Sequence, residues 1–246
     1  MATNQNTQYI PGMYAKKRTS AAILADQCIR EWEKKKEIEK NKQIDEQVIR
    51  NFHYICFSRK IGVGALEIAD MVAEKIGHKV VDRQIMEHIA EHRAIKTDTL
   101  NDFDERYPGL MNEFLSMLFG EKSFTSGDYM RHLVKAVLQI AEIGPTIFVG
   151  RATHLILPRE NVLAVRFISS REHRIQRVAN ILNISAKKAA KKLDMEDKLQ
   201  AEFFKKNFSK KDASPYEFDL VINRDYLPGA QGAAELICQA YMLKFD

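Results

Sequence analysis

Ser58-Arg-Lys-Ile-Gly-Val-Gly-Ala-Leu-Glu-Ile-Ala69 is the stretch on which the fold turns. An apolar run at 53–58 leads into it and reads as a short strand. Residues 65–76 then carry helical spacing, with Gly77 as the stop. Glycines at 62 and 64 let backbone N–H groups turn inward where the helix begins, an arrangement suited to phosphate. They suit a plain strand-to-helix turn equally well, and the segment alone leaves both readings open.

Outward from this turn, strand and helix patterns alternate. Strands are expected at 79–81, 146–149, 162–168 and 218–222. Helices are expected at 83–92, 107–119, 128–143, 171–182, 185–208 and 229–243. Short apolar strands separated by helices indicate an α/β fold with a largely parallel sheet. Ligands of open α/β sheets sit beyond the carboxyl ends of the strands. That rule points to 58–65, Asp82-Arg83, Gly150-Arg151 and 169–174, all rich in Gly, Ser, Arg or Asp. Upstream, residues 1–19 read as a loosely ordered tail, and 20–48 as one or two helices with sparse apolar points such as Ile23, Leu24 and Trp32. Such a helix docks on the body of the protein or on a second subunit, so a homodimer through it is one arrangement. The expected organisation is an extension at 1–50 and a main domain at 51–246.

With 246 residues, 45% of them hydrophobic and 29% charged, the chain can bury a sizeable core. Cys28, Cys56 and Cys238 are far apart and form no Cys-x-x-Cys pair, against a disulfide framework or thiolate zinc site. No apolar run reaches the roughly 18 residues of a spanning helix, and the polar N-terminus lacks a signal core. A cytoplasmic protein is expected, with no membrane partner. The net charge of +5 is regional: 171–211 holds 12 Lys+Arg and 5 Asp+Glu, a surplus of +7, which leaves −2 for the rest. A basic segment of this kind can cover a phosphate-bearing molecule, bind nucleic acid, or form the solvated side of helices.

Against the phosphate-loop consensus G-x-x-x-x-G-K-[ST], Gly64 takes the second glycine, but Arg59, Ala65 and Leu66 replace the first glycine, the lysine and the hydroxyl residue. A more particular pattern fits better. Ser58-Arg59, Gly62-x-Gly64 and Glu67-Ile68-Ala69 resemble the opening of the cytidylate kinase-like family, which also lacks the lysine. Further landmarks follow in order: Val81-Asp82-Arg83, Phe148-Val-Gly-Arg151, Val165 to Arg177 with its arginine-bearing helix, Glu196-Asp-Lys198 through Lys205, and Tyr216 to Asn223. The resemblance spans about 54–241. It implies a three-layer phosphate-loop kinase fold with a mostly parallel five-stranded sheet, a helical lid at about 185–211 and the N-terminal helical extension. It further implies transfer of the ATP γ-phosphate to a nucleoside monophosphate, CMP or a related small acceptor, with Mg2+ as cofactor.

On that resemblance Ser58, Arg59, Lys60, Gly62, Val63, Gly64, Ala65, Arg174 and Arg177 would hold ATP. Asp82, Arg83, Gly150, Arg151 and Asp197 would hold the acceptor, Asp82 would contact the metal, and Arg59, Arg151, Arg174 and Lys198 would carry catalysis by neutralising charge. Departures at Ala65, Leu66, Ala152 and Gln200 leave a second reading open, a catalytically degenerate nucleotide-binding protein with a regulatory role.

Each of these residues also has a plainer reading. Asp82 can cap the next helix, Arg151 can form a structural ion pair, Arg174 and Arg177 can pair with surface acids, and Lys198 can be solvated helix surface. His88-Ile-Ala-Glu-His92 fits the zinc pattern H-x-x-E-H, but three fixed positions on a helix are weak evidence. Lys-rich helices with Phe203, Phe204 and Phe208 raise nucleic-acid binding, against which stands the rule that aromatics at helical spacing are more often core.

Overall fold

The computed structural model describes residues 21–40, 52–91, 128–208 and 212–245. Five strands form one sheet: β1 (Tyr54–Arg59), β2 (Lys79–Asp82), β3 (Thr146–Val149), β4 (Val162–Ile168) and β5 (Leu220–Asn223), in the order β2-β3-β1-β4-β5. The expected sheet was mostly parallel; all four pairings are parallel, with Cys56 opposite Phe148 and Ala164 across the centre. Parallel strands need crossovers, and among the described residues seven α-helices frame them: α1 (Ala21–Lys40), α2 (Ala65–Ile76), α3 (Arg83–Glu91), α4 (Asp128–Ile143), α5 (Arg171–Leu182), α6 (Ala186–Phe208) and α7 (Ala230–Phe245).

Alternation along β1 sorts the layers. Ile55 and Phe57 point into an apolar layer with Leu66, Ile68 and Val72 of α2 and Ile237 of α7. Tyr54 and Cys56 point the other way, into a layer with Ile85 and Met86 of α3 and Leu133 and Val137 of α4. Because β1 is buried on both faces, it reads as a continuous apolar run rather than an alternating one. Burial pushes the Cys56 thiol up to about 12, so it is an inert core group.

The N-terminal helix belongs to this body. Ala25 and Trp32 of α1 are buried against α3 and α4, and the Trp32 indole Nε1 donates to Glu142 Oε2 at 2.8 Å. Lys35 reaches the Glu142 carbonyl, and Glu31 pairs with Lys79. Of the one or two helices expected over 20–48, Ala21–Lys40 is helical, and residues 20 and 41–48 lie outside the described residues. The helix expected at 107–119 and His92 of the zinc pattern lie outside the described residues. Among the described residues, no helix is long and apolar enough to cross a membrane.

Candidate active site

The carboxyl end of β1 runs directly into the glycine turn. Gly62 has φ +92° and Gly64 φ +78°, both in the region that L side chains avoid. The turn also needs the missing side chain at Gly62 for space. A Cβ there would sit 3.1 Å from Arg174 Cβ and 3.2 Å from the Arg174 carbonyl oxygen, because α5 lies on the loop. Gly62→Ala should therefore cost about 2 kcal/mol or more through combined strain and overpacking. Denaturant unfolding checks this, and a variant as stable as the parent would mean that α5 does not rest on the turn.

Arginines crowd the carboxyl edge of the sheet. Gly150, φ +100°, donates its N–H to the Phe57 carbonyl at 2.9 Å, which sets the end of β3 beside β1. Arg151 follows with φ +54°, pairs with Glu87, and stacks its guanidinium 4.3 Å over the Phe203 ring. Arg83 faces Glu87 at 3.6 Å and Glu196 at 3.7 Å. Burial, then the Arg83 and Arg59 cations, push Arg151 down to about 9, and Glu196 opposes the shift. The buried Nε atoms of Arg83 and Arg151 have no hydrogen-bond acceptor among the described residues, so they are donors that an anion would satisfy.

Other candidates have different surroundings. Asp82 is buried, and its Oδ1 accepts from the N–H groups of Gln84 at 3.0 Å and Ile85 at 3.1 Å, an N-cap of α3. Arg174 forks onto Asp197 at 2.9 and 2.8 Å and also donates to the Ile61 carbonyl at 3.3 Å. Arg177 donates to Glu67 Oε2 at 2.6 Å and lies over Gly64, where a Cβ would meet its Nη2 at 2.8 Å. One face of α5 therefore sends two arginines to two different acids, both in contact with the loop. Lys198 is 78% exposed and faces Glu202 at 4.0 Å. Lys60 is exposed, and Val63 and Ala65 are buried in the apolar layer behind the loop.

The expected lid helix, α6, rests on the site. Asp194 takes Arg171, Asp197 takes Arg174, and Gln200 Nε2 donates to the Arg59 carbonyl at 3.0 Å. Phe204 and Phe208 are buried in the same layer as Tyr54 and Ala25, with Phe203 packed against them, so the three rings raised for nucleic acid face inward. On α3, His88 belongs to no metal-binding group: among the described residues, no set of three or more His, Cys, Asp or Glu could hold an ion.

Several residues that build the site were absent from the sequence-based candidates. Glu87 and Glu196 counter the arginines. Arg166, inside β4, donates to Ser58 Oγ at 2.9 Å and to Asp212 at 2.8 Å. Its one visible signal was a charged residue within an apolar strand. Arg224, 3% exposed, donates Nε to the Val63 carbonyl at 3.2 Å. Nothing near it in sequence marks it.

The profile of the cytidylate kinase-like family matches residues 54–226, from β1 through the turn after β5. This chain belongs to the cytidylate kinase-like family. A search of curated proteins returns no match. Among solved structures, an uncharacterized protein from Eubacterium ventriosum shares the fold. It has TM-score 0.56 and 17% identity, covering 76% of this chain and 97% of its own. Shikimate kinase from Bacteroides thetaiotaomicron aligns at TM-score 0.40 and 11% identity, over 77% and 95% of the two chains. Shikimate kinase from Acinetobacter baumannii, in complex with shikimate, aligns at 0.39 and 15%, over 82% and 99%.

The residues fit the groups implied by the cytidylate kinase-like family unevenly. Buried arginine donors and a glycine turn at the start of α2 suit phosphate oxygens. For Mg2+ the donor set is poor. Leu66, where the general phosphate loop has a hydroxyl, is 4% exposed and packed in the apolar layer, and Asp82 is engaged as a helix cap. Among the described residues the side chains form no magnesium cage, so an Mg2+ held by these residues would depend on phosphate oxygens and water for its ligands.

Proposed function

We propose that this protein is an ATP-dependent kinase of small phosphate-bearing acceptors, with CMP or a related nucleoside monophosphate as acceptor. The observation that carries this reading is the convergence of Arg59, Arg83 and Arg151 beside the glycine turn, with the buried Nε atoms of Arg83 and Arg151 lacking a hydrogen-bond acceptor among the described residues. Phosphoryl transfer needs positioning and charge neutralisation in a water-poor site more than covalent chemistry. Arg151 and Arg83, leaving neighbouring strands β3 and β2, would hold the acceptor phosphate, with Gly150 giving it room and Asp82 fixing the start of α3. Ser58 to Ala65 would hold the donor phosphates, with Arg59 supplying the cation that Ala65 does not. Arg177, already over Gly64, would shift from Glu67 onto the donor phosphates. Lys198 rides on the α5–α6 unit and would reach phosphate only if that unit moves, while Arg174 stays bonded to Asp197 and to the Ile61 carbonyl. Mg2+, when bound with ATP, would shield the β- and γ-oxygens.

A panel of nucleoside monophosphates with ATP and magnesium, followed for diphosphate product, tests the reading. Turnover with at least one acceptor is expected. Arg151→Ala should raise the acceptor KM by about 10-fold or more, the loss expected for a forked guanidinium–phosphate contact. Unchanged acceptor affinity and turnover in a folded variant would remove Arg151 from the site.

One observation favours a second reading. Leu66 is packed into the apolar layer and Gln200 is bonded to the loop carbonyl, so two departures from the family are built into the fold. A nucleotide-binding protein without turnover would be stabilised by ATP through mass action yet release no product in the same panel.

A further inference from the structure

Three side chains from three separate elements each bond a backbone carbonyl of the glycine turn, and the carbonyls alternate along it. Gln200 of α6 donates to Arg59 O at 3.0 Å, Arg174 of α5 to Ile61 O at 3.3 Å, and Arg224, just after β5, to Val63 O at 3.2 Å. In a trans peptide the C=O and the following N–H point in opposite directions within one rigid plane, and no described peptide bond is cis. Fixing the carbonyls of 59, 61 and 63 therefore fixes the N–H groups of Lys60, Gly62 and Gly64, each turned away from its own bonded side chain.

We propose that Gln200, Arg174 and Arg224 are positioning residues that pin alternate carbonyls of the turn and so preset the amides of Lys60, Gly62 and Gly64 as donors to a polyphosphate anion. The proposal rests on reading this turn as the donor-phosphate site. A free glycine turn samples conformations in which carbonyl oxygens, which repel phosphate, face the ligand. Pinning removes those states before the anion arrives, and pre-ordering of this kind raises affinity without any new contact to the ligand.

The three pins differ in what holds them. Arg174 is oriented by Asp197. Arg224 is anchored by carbonyls alone: besides Val63 it donates to Pro228 at 2.6 Å, to Gly229 at 3.0 Å and to Leu227. No carboxylate hydrogen-bonds to it among the described residues. Among the described residues its charge is countered through space by Glu67, which already pairs with Arg177. Arg224 supplies, from behind the turn, positive charge in a loop that lacks the usual lysine. Gln200 is a neutral pin, and its place on α6 makes loop geometry depend on where the lid helix sits.

The test uses the full chain and inorganic pyrophosphate, an anion with no base or sugar, with ATP in parallel. Binding is followed by calorimetry and by 15N amide resonances of the turn, in the parent, Gln200→Met and Arg224→Lys. Arg224→Lys retains the charge and loses the fork, while Gln200→Met removes a donor from a half-buried site that the core does not need. Each variant should weaken pyrophosphate about 3- to 10-fold, the size of one hydrogen bond's contribution. The resonance of Lys60 should move in free Gln200→Met, and that of Gly64 in free Arg224→Lys. A merely stabilising role would not produce this residue-by-residue correspondence. If the parent binds and both variants bind equally well with unmoved amides, pinning is wrong and the kinase reading stands. If the parent binds neither pyrophosphate nor ATP, both fall. Should Arg224→Lys not fold, Gln200→Met decides alone.

Discussion

Replacing Arg59 by alanine is expected to lower phosphoryl-transfer turnover by about 10² or more, the usual loss when a preorganised charge stabiliser is removed from a closed site. Arg59 ends the central strand, is buried, and lies close enough to Arg151 for the two cations to oppose each other. Lys60, one residue on, is exposed. Lys60→Ala should therefore cost much less, although both side chains offer a positive charge in place of the lysine that Ala65 does not supply. Steady-state kinetics with saturating ATP and the best acceptor separates the two variants. Full turnover in Arg59→Ala would show that backbone donors hold the phosphate unaided and would remove Arg59 from the catalytic group.

The largest effect on stability should come from Trp32→Ala, at about 3–5 kcal/mol, the range for deleting a buried aromatic side chain. Trp32 is 7% exposed, and its indole N–H reaches Glu142 on α4. Trp32→Phe should recover most of the packing and lose the hydrogen bond, giving an intermediate value. Because α1 covers α3 and α4 of its own chain, the loss should not depend on protein concentration. A loss that vanished on dilution would place the helix on a second subunit. Urea unfolding at two concentrations, read by circular dichroism, decides between them.

Much of this architecture is local and was legible in the order of residues. The strand–turn–helix at 54–76, its stop at Gly77 with φ +71°, and the strands at 146–149 and 162–168 all depend on period, backbone freedom and apolar content within a few positions. Asp82 as a helix cap is of the same kind, since its partners are two and three residues away. The family landmarks were legible for a related reason, being short runs that mark the carboxyl ends of successive strands.

Ion pairing was not legible in this way. Arg174 and Arg177 sit on one face of one helix, a spacing that suits joint chelation of phosphate, yet α6 brings Asp197 to the first and α2 brings Glu67 to the second. The roles of Arg166 and Arg224 depend on partners 108 and 161 positions away, and no periodicity reports a contact at that range. The sequence by itself determined the layers, the strand ends and the glycine turn, because backbone conformation and apolar period act within a turn of helix or a pair of strand residues. The tertiary structure decided which arginine meets which acid, which carbonyls of the turn are pinned, and where α1 rests. Those choices depend on the distances between packed elements, and a long guanidinium takes whichever acceptor the packing brings within reach.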